Sequence, residues 1–157
     1  MLYAISLAVL VLTILAFFTL ARGNYKPFGI PQIILRVLVA LPLLISGVFL
    51  HFFQTALTAS IIPPIFPART FLAVFTGICE IAGAIGLFVP RVRRPAALWI
   101  AIMLVAIFPA NVYSAGQIIA GFQFPTVPVR LTMQIVYIVC VLLAGYGLPH
   151  RGKSPPR

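Results

Sequence analysis

Acid is almost absent from this chain. Its 157 residues include one carboxylate side chain, Glu80, against eleven Lys and Arg, for a formal net charge of +10. Such a balance first suggests a nucleic-acid binder, but the basic residues are too few and too scattered for a surface that tracks phosphates. Charge of either sign is also scarce, at 8% of residues against 62% hydrophobic, and the mean hydropathy is +1.17. An ordinary soluble domain of this length is thereby excluded. The two cysteines, Cys79 and Cys140, lie inside apolar runs with neither a C-x-x-C nor a metal-ligand spacing. No thioredoxin-like motif, haem-attachment motif or metal site is therefore encoded. They read as two small apolar side chains at similar depth, a reading preferred to a bond between them.

What is present is a series of long apolar runs, each able to supply the about 20 residues that cross a bilayer. Five qualify: 1–21, 31–53, 70–89, 96–114 and 131–148. Breakers mark the connectors, namely Gly23, Pro27 and Gly29, then Pro63, Pro64 and Pro67, then Pro90 and Pro95, then Gly121, Pro125 and Pro128. The expected fold is an all-α integral membrane protein with a four-helix transmembrane core, preceded by one extra N-terminal transmembrane helix. Residues 1–149 form a single transmembrane domain, and 150–157 a short basic cytoplasmic tail. The first run lacks a basic leading region and an obvious small-residue cleavage site, so a retained helix is preferred to a signal peptide.

Alternate connectors fall on opposite sides of a membrane. Arg22, Lys26, Arg36, Arg91, Arg93, Arg94, Arg151, Lys153 and Arg157 then share one side, and Arg69 and Arg130 the other. Lys and Arg favour the cytoplasmic side. The expected placement is the cell (inner) membrane, multi-pass, with the N-terminus outside and the C-terminus cytoplasmic.

Ionisable groups within a bilayer are expensive and tend to face the bundle interior. Arg36, Ala40, Leu43, Gly47 and His51 recur at helical spacing and share one face, and so do Ala73, Gly77, Glu80 and Ala84. Small residues around the lone carboxylate predict a close neighbouring helix. Glu80 and Arg36 should differ in depth by about 7 Å at 1.5 Å per residue, a gap that two long side chains can close. Glu80 then reads either as a proton-accepting or substrate-orienting carboxylate restrained by Arg36, or as a buried group that only fixes helix register. His51 lies near the outer end of its run, where interfacial anchoring is preferred to a place in a polar site. Arg130, Gln134 and Tyr137 share a face that can complete an outer-leaflet pocket with His51 and Asn111. Asn111 follows Pro109, which bends the helix and frees a carbonyl for the Asn to bond.

Several of these stretches resemble the DoxX-like family of small bacterial and archaeal membrane proteins: Arg36 with Gly47, His51 and Phe52; Thr76, Gly77 and Glu80 followed by Gly83 to Leu87 and Pro90; Phe108, Pro109, Ala110 and Asn111; and Arg130, Leu131 and Gln134. The resemblance covers roughly 31–148. It implies a four-helix membrane core. Some members of that family are subunits of thiosulfate:quinone oxidoreductases, and others are linked to membrane redox and oxidative-stress complexes. The chain departs from a redox-active thiol pattern, since Cys79 and Cys140 form no motif.

The expected function is an auxiliary or quinone-proximal subunit of a membrane redox system, with Glu80 as proton acceptor and Arg36, His51, Asn111, Arg130 and Gln134 as a polar interior. The bilayer, a redox partner subunit and a quinone are the implied partners and cofactor; nucleic acid is not. A small-solute transporter and a non-catalytic scaffold are the alternatives, the first weakened by the absence of an evident inverted repeat. Whether the chain is an enzyme is left open.

Overall fold

Prolines and glycines decide where each helix starts and stops. The computed structural model describes residues 25–26 and 29–149; the expected first span and basic tail lie outside them. Gly29, at φ 70°, turns the chain into helix α1, Ile30–Ile45, with Pro31 in the first turn, where its missing N–H costs nothing. The helix continues as a π-helical stretch, Ser46–Phe53. A short helix α2, Thr55–Ser60, follows. After a proline-rich turn, Ala68 adopts a left-handed conformation at φ 52° and opens helix α3, Arg69–Gly86. Helices α4, Arg93–Ala106, and α5, Phe108–Ser114, are one run broken at Ile107, just before Pro109. Helix α6 is Val127–Tyr146, again with a proline in its first turn.

Two small hairpin-like pairings complete the fold. Strands β2, Ile118–Ile119, and β3, Phe122–Gln123, pair antiparallel across Ala120 and Gly121, both at positive φ. Strand β1, Tyr25–Lys26, pairs antiparallel with β4, Leu148–Pro149. This pairing places the entry to α1 beside the exit from α6, as an even number of antiparallel helices requires.

Among the described residues four helical runs are long and apolar enough to cross a membrane: Ile30–Phe53, Arg69–Gly86, Arg93–Ser114 and Val127–Tyr146. They coincide within a few residues with the last four expected spans. They close into a ring, α1 against α3 and α6, and α4 against α3 and α6. Ala84, Ala97, Ile100, Ala101, Val141 and Ala144 are fully buried along its axis. Small residues permit the close crossings, since a Cβ at Gly86 would lie 2.7 Å from that of Ala96. The ring is inverted relative to a soluble bundle. Gln32, Arg36, His51, Glu80 and Gln134 are buried, whereas Ile33, Leu38, Leu41, Phe49, Phe71, Phe75, Met133 and Val136 are exposed.

Candidate functional site

The expected polar interior is present as buried residues, but it is divided into three groups. The first is at the start of α1. Arg36 is buried and its Nε donates to the Ala144 carbonyl at 2.9 Å, and Gln32 Nε2 donates to the same oxygen at 3.2 Å and to the Leu143 oxygen at 3.3 Å. A helix C-terminus presents carbonyls without intrahelical partners and a partial negative charge. That end of α6 holds Arg36, and among the described residues the ion pair of Glu80 is with His51 and not with Arg36; this corrects the expected Arg36–Glu80 restraint.

The second group pairs His51 with Glu80. The π-helical turn keeps His51 on the same buried face as Arg36, Ala40, Leu43 and Gly47. Two hydroxyls accompany it: Thr55 donates to the His51 carbonyl at 2.6 Å, and Thr58 donates to the Leu50 carbonyl at 2.7 Å. Gly77 leaves the space that the imidazole fills, since a Cβ there would lie 2.8 Å from His51 Cγ. Glu80 leans back along α3, as helical side chains do. Its Oε1 comes to 3.6 Å from His51 Nε2. On the other side of the ring, His51 Nδ1 meets the Ala73 carbonyl and lies 3.2 Å from Thr76 Oγ1. Glu80 Oε2 is buried with no hydrogen-bond partner. His51 is thus part of a polar site and not the interfacial anchor that its position near the end of the run suggests.

The third group lies where α4 breaks. Arg130 Nη1 donates to Asn111 Oδ1 at 2.7 Å, Asn111 Nδ2 to Gln134 Oε1 at 3.1 Å, and Gln134 Nε2 to the Leu104 carbonyl at 2.7 Å. The backbone repair expected of Asn111 is performed by Gln134, because Asn111 is turned toward α6. Arg130 also stacks over the Phe124 ring, 4.9 Å from its centroid, and its Nε is buried without a partner. These residues border an open cavity of about 530 Å³, whose other walls are Leu104, Phe122, Gln123, Pro125, Met133 and Tyr137. The hairpin β2–β3 supplies Phe122 and Gln123, contributors that the sequence patterning does not single out.

Neither Arg36, His51 nor Glu80 lines this cavity. Tyr137 lies between: it borders the cavity, its hydroxyl donates to the Val39 carbonyl, and it is within Coulombic range of Glu80. Cys79 and Cys140 are both free thiols. Among the described residues no three His, Cys, Asp or Glu side chains are grouped to hold a metal ion.

Residues 38–144 match the model of a family described as a domain of unknown function, DUF8561. The chain belongs to the DUF8561 family. The matched DUF8561 region contains the His51–Glu80 pair and the Asn111, Arg130 and Gln134 cluster, while Gln32 and Arg36 precede it. Neither a curated protein nor a solved structure matches the chain.

Proposed function

We propose that the chain is a multi-pass integral membrane protein whose cavity beside Arg130 binds the ring of a quinone-type lipid, as an auxiliary subunit of a membrane redox system. The membrane reading rests on the inverted ring, whose exposed Leu, Ile and Phe match hydrocarbon as their surroundings. The basic bias then puts the Arg36 end in the cytoplasm and the cavity toward the outside, with a further N-terminal span before the ring.

One observation carries the ligand reading: Arg130, whose buried Nε has no partner, lines a cavity whose walls include Phe, Met, Leu and Tyr. A ring with a carbonyl oxygen suits such a site, an apolar slot with a few fixed donors. The amides of Asn111 and Gln134 already donate within the cluster, and they orient the guanidinium rather than the ligand. Arg130 therefore would hold the carbonyl oxygen, with Phe122, Phe124 and Met133 beside the ring. A quinone bound there would carry reducing equivalents for a partner subunit. The DoxX-like resemblance supports the same reading, since two of its blocks supply Asn111, Arg130 and Gln134.

Purification of the full chain in mild detergent, followed by mass spectrometry of extracted lipids and associated subunits, tests this. Near-stoichiometric quinone with a redox partner is expected. Quinone at the level of the bulk lipid extract, without a partner, would overturn the reading, and solute flux in liposomes would favour a transporter.

A further inference from the structure

Histidine tautomers follow from the partners of the two ring nitrogens, and at His51 both sets are defined. Nδ1 faces the Ala73 carbonyl, which can only accept. It also faces Thr76 Oγ1, whose own hydroxyl is within 2.9 Å of the Leu72 and Ala73 carbonyls and donates there. Toward His51, then, Thr76 also accepts. Nδ1 therefore carries a proton. Nε2 is left facing Glu80 Oε1 at 3.6 Å.

An imidazole lone pair facing a carboxylate is two acceptors opposed, and a buried carboxylate without a donor is costly. The conflict is relieved by one proton placed on either atom, as carboxylic acid beside neutral imidazole or as carboxylate beside imidazolium. The pair has zero net charge in both arrangements. We propose that His51 and Glu80 form a proton-carrying dyad that holds one proton between Nε2 and Oε1 and exchanges it through Glu80 Oε2. That second oxygen is buried and has no partner, so a water or hydroxyl-bearing ligand that entered the ring would bond there. When Oε2 takes up a proton, the proton on Oε1 passes to Nε2. The product is a neutral carboxylic acid beside imidazolium, and the charge of the pair rises by one.

Among the described residues no other ion pair involves Glu80. From α1 the nearest cation, Arg36, is held on the Ala144 carbonyl. Helix α2 carries no ionisable side chain, and those of α4 are Arg93 and Arg94 in its first turn. Helix α3 adds only Cys79 beside Glu80 and Arg69 at its start. Helix α6 carries Arg130, which donates to Asn111, as well as Cys140, Tyr146 and Tyr137; Tyr137 is within Coulombic range and its hydroxyl donates to Val39. The dyad stands apart from the cavity lining, so it holds whether or not a quinone binds there.

The composition makes the test specific. Glu80 is the sole acidic side chain, and only two histidines are present. Infrared spectra of the full chain in nanodiscs, with ¹³C-labelled glutamate and a His150→Asn background, report Glu80 and His51 individually. In His51→Gln the Glu80 carboxylic-acid band is expected to shift, because its imidazole partner is gone. In Glu80→Gln the His51 ring band is expected to shift because its carboxyl partner is gone. Each variant should lose the one proton per molecule that the intact pair takes up on acidification. Uptake of that proton by either variant would overturn the dyad. Nitrogen-15 NMR of histidine-labelled protein needs no variant at the pair and keeps the proposal testable if either variant fails to fold. A protonated Nδ1 at His51 throughout is expected, and a bare Nδ1 with protonated Nε2 would overturn it.

Discussion

Replacing Gly77 by Ala probes a close helix crossing. The added methyl carbon would lie 2.8 Å from His51 Cγ and 3.1 Å from the Gly47 carbonyl oxygen. Overpacking a tight contact costs about 1–3 kcal/mol. Alanine is better than glycine within a helix by about 1 kcal/mol, which offsets part of that. The imidazole cannot retreat without losing its contacts to Ala73 and Glu80, and a lost hydrogen bond at a buried charged group adds roughly 1.5–3 kcal/mol. The expected net loss for Gly77→Ala is about 1.5–5 kcal/mol. Gly83→Ala is the control: its new methyl meets Ile100 Cγ1 at 2.6 Å, an aliphatic side chain with no polar contact to lose, so its loss should be smaller. Unfolding in mixed micelles by increasing SDS, followed by circular dichroism, measures both. Gly77→Ala equal to or more stable than the parent protein would refute the close crossing and the placement of His51 within it.

Three further outcomes are expected. Arg36→Met should lower stability by no more than about 2 kcal/mol, because Gln32 still bonds the Ala144 carbonyl and an apolar residue often replaces a buried cation at little cost; it should leave the Glu80 infrared band unchanged, whereas a shifted band would reinstate an Arg36–Glu80 pair. Ala120→Asn should stabilise hairpin β2–β3 by several tenths of a kcal/mol, since both turn residues have positive φ and Asn-Gly favours that geometry; faster amide exchange at Phe122 in the variant would contradict this. A C-terminal reporter active only in the cytoplasm should work, and an external C-terminus would reverse the side assignment.

The helices were legible because hydrophobic length and proline position act locally. The buried faces were legible too, since Arg36 to His51 and Ala73 to Ala84 follow helical spacing. Which polar group meets which was not. Arg36 sits at the start of α1, and in an antiparallel ring that start adjoins the end of α6, so its nearest acceptors are backbone carbonyls, which no residue pattern displays. His51 reaches Glu80 because Gly77 leaves a gap, which depends on tertiary packing. Asn111, Arg130 and Gln134 were identified by face and by resemblance, yet their cavity also needs Phe122 and Gln123 from a hairpin whose two-residue strands are too short for a period-two signal.

The central claim is that the cavity holds a ring ligand through Arg130, and equilibrium binding tests it most directly. A short-chain ubiquinone analogue would be titrated into the full chain in lipid nanodiscs, alongside Arg130→Gln shown by circular dichroism to be folded. Saturable binding at one site per chain is expected, weakened in the variant by roughly tenfold to a hundredfold, as loss of a hydrogen bond from a charged donor of about 1.5–3 kcal/mol implies. Equal affinity in the two proteins, or uptake no greater than into empty nanodiscs, would contradict the account.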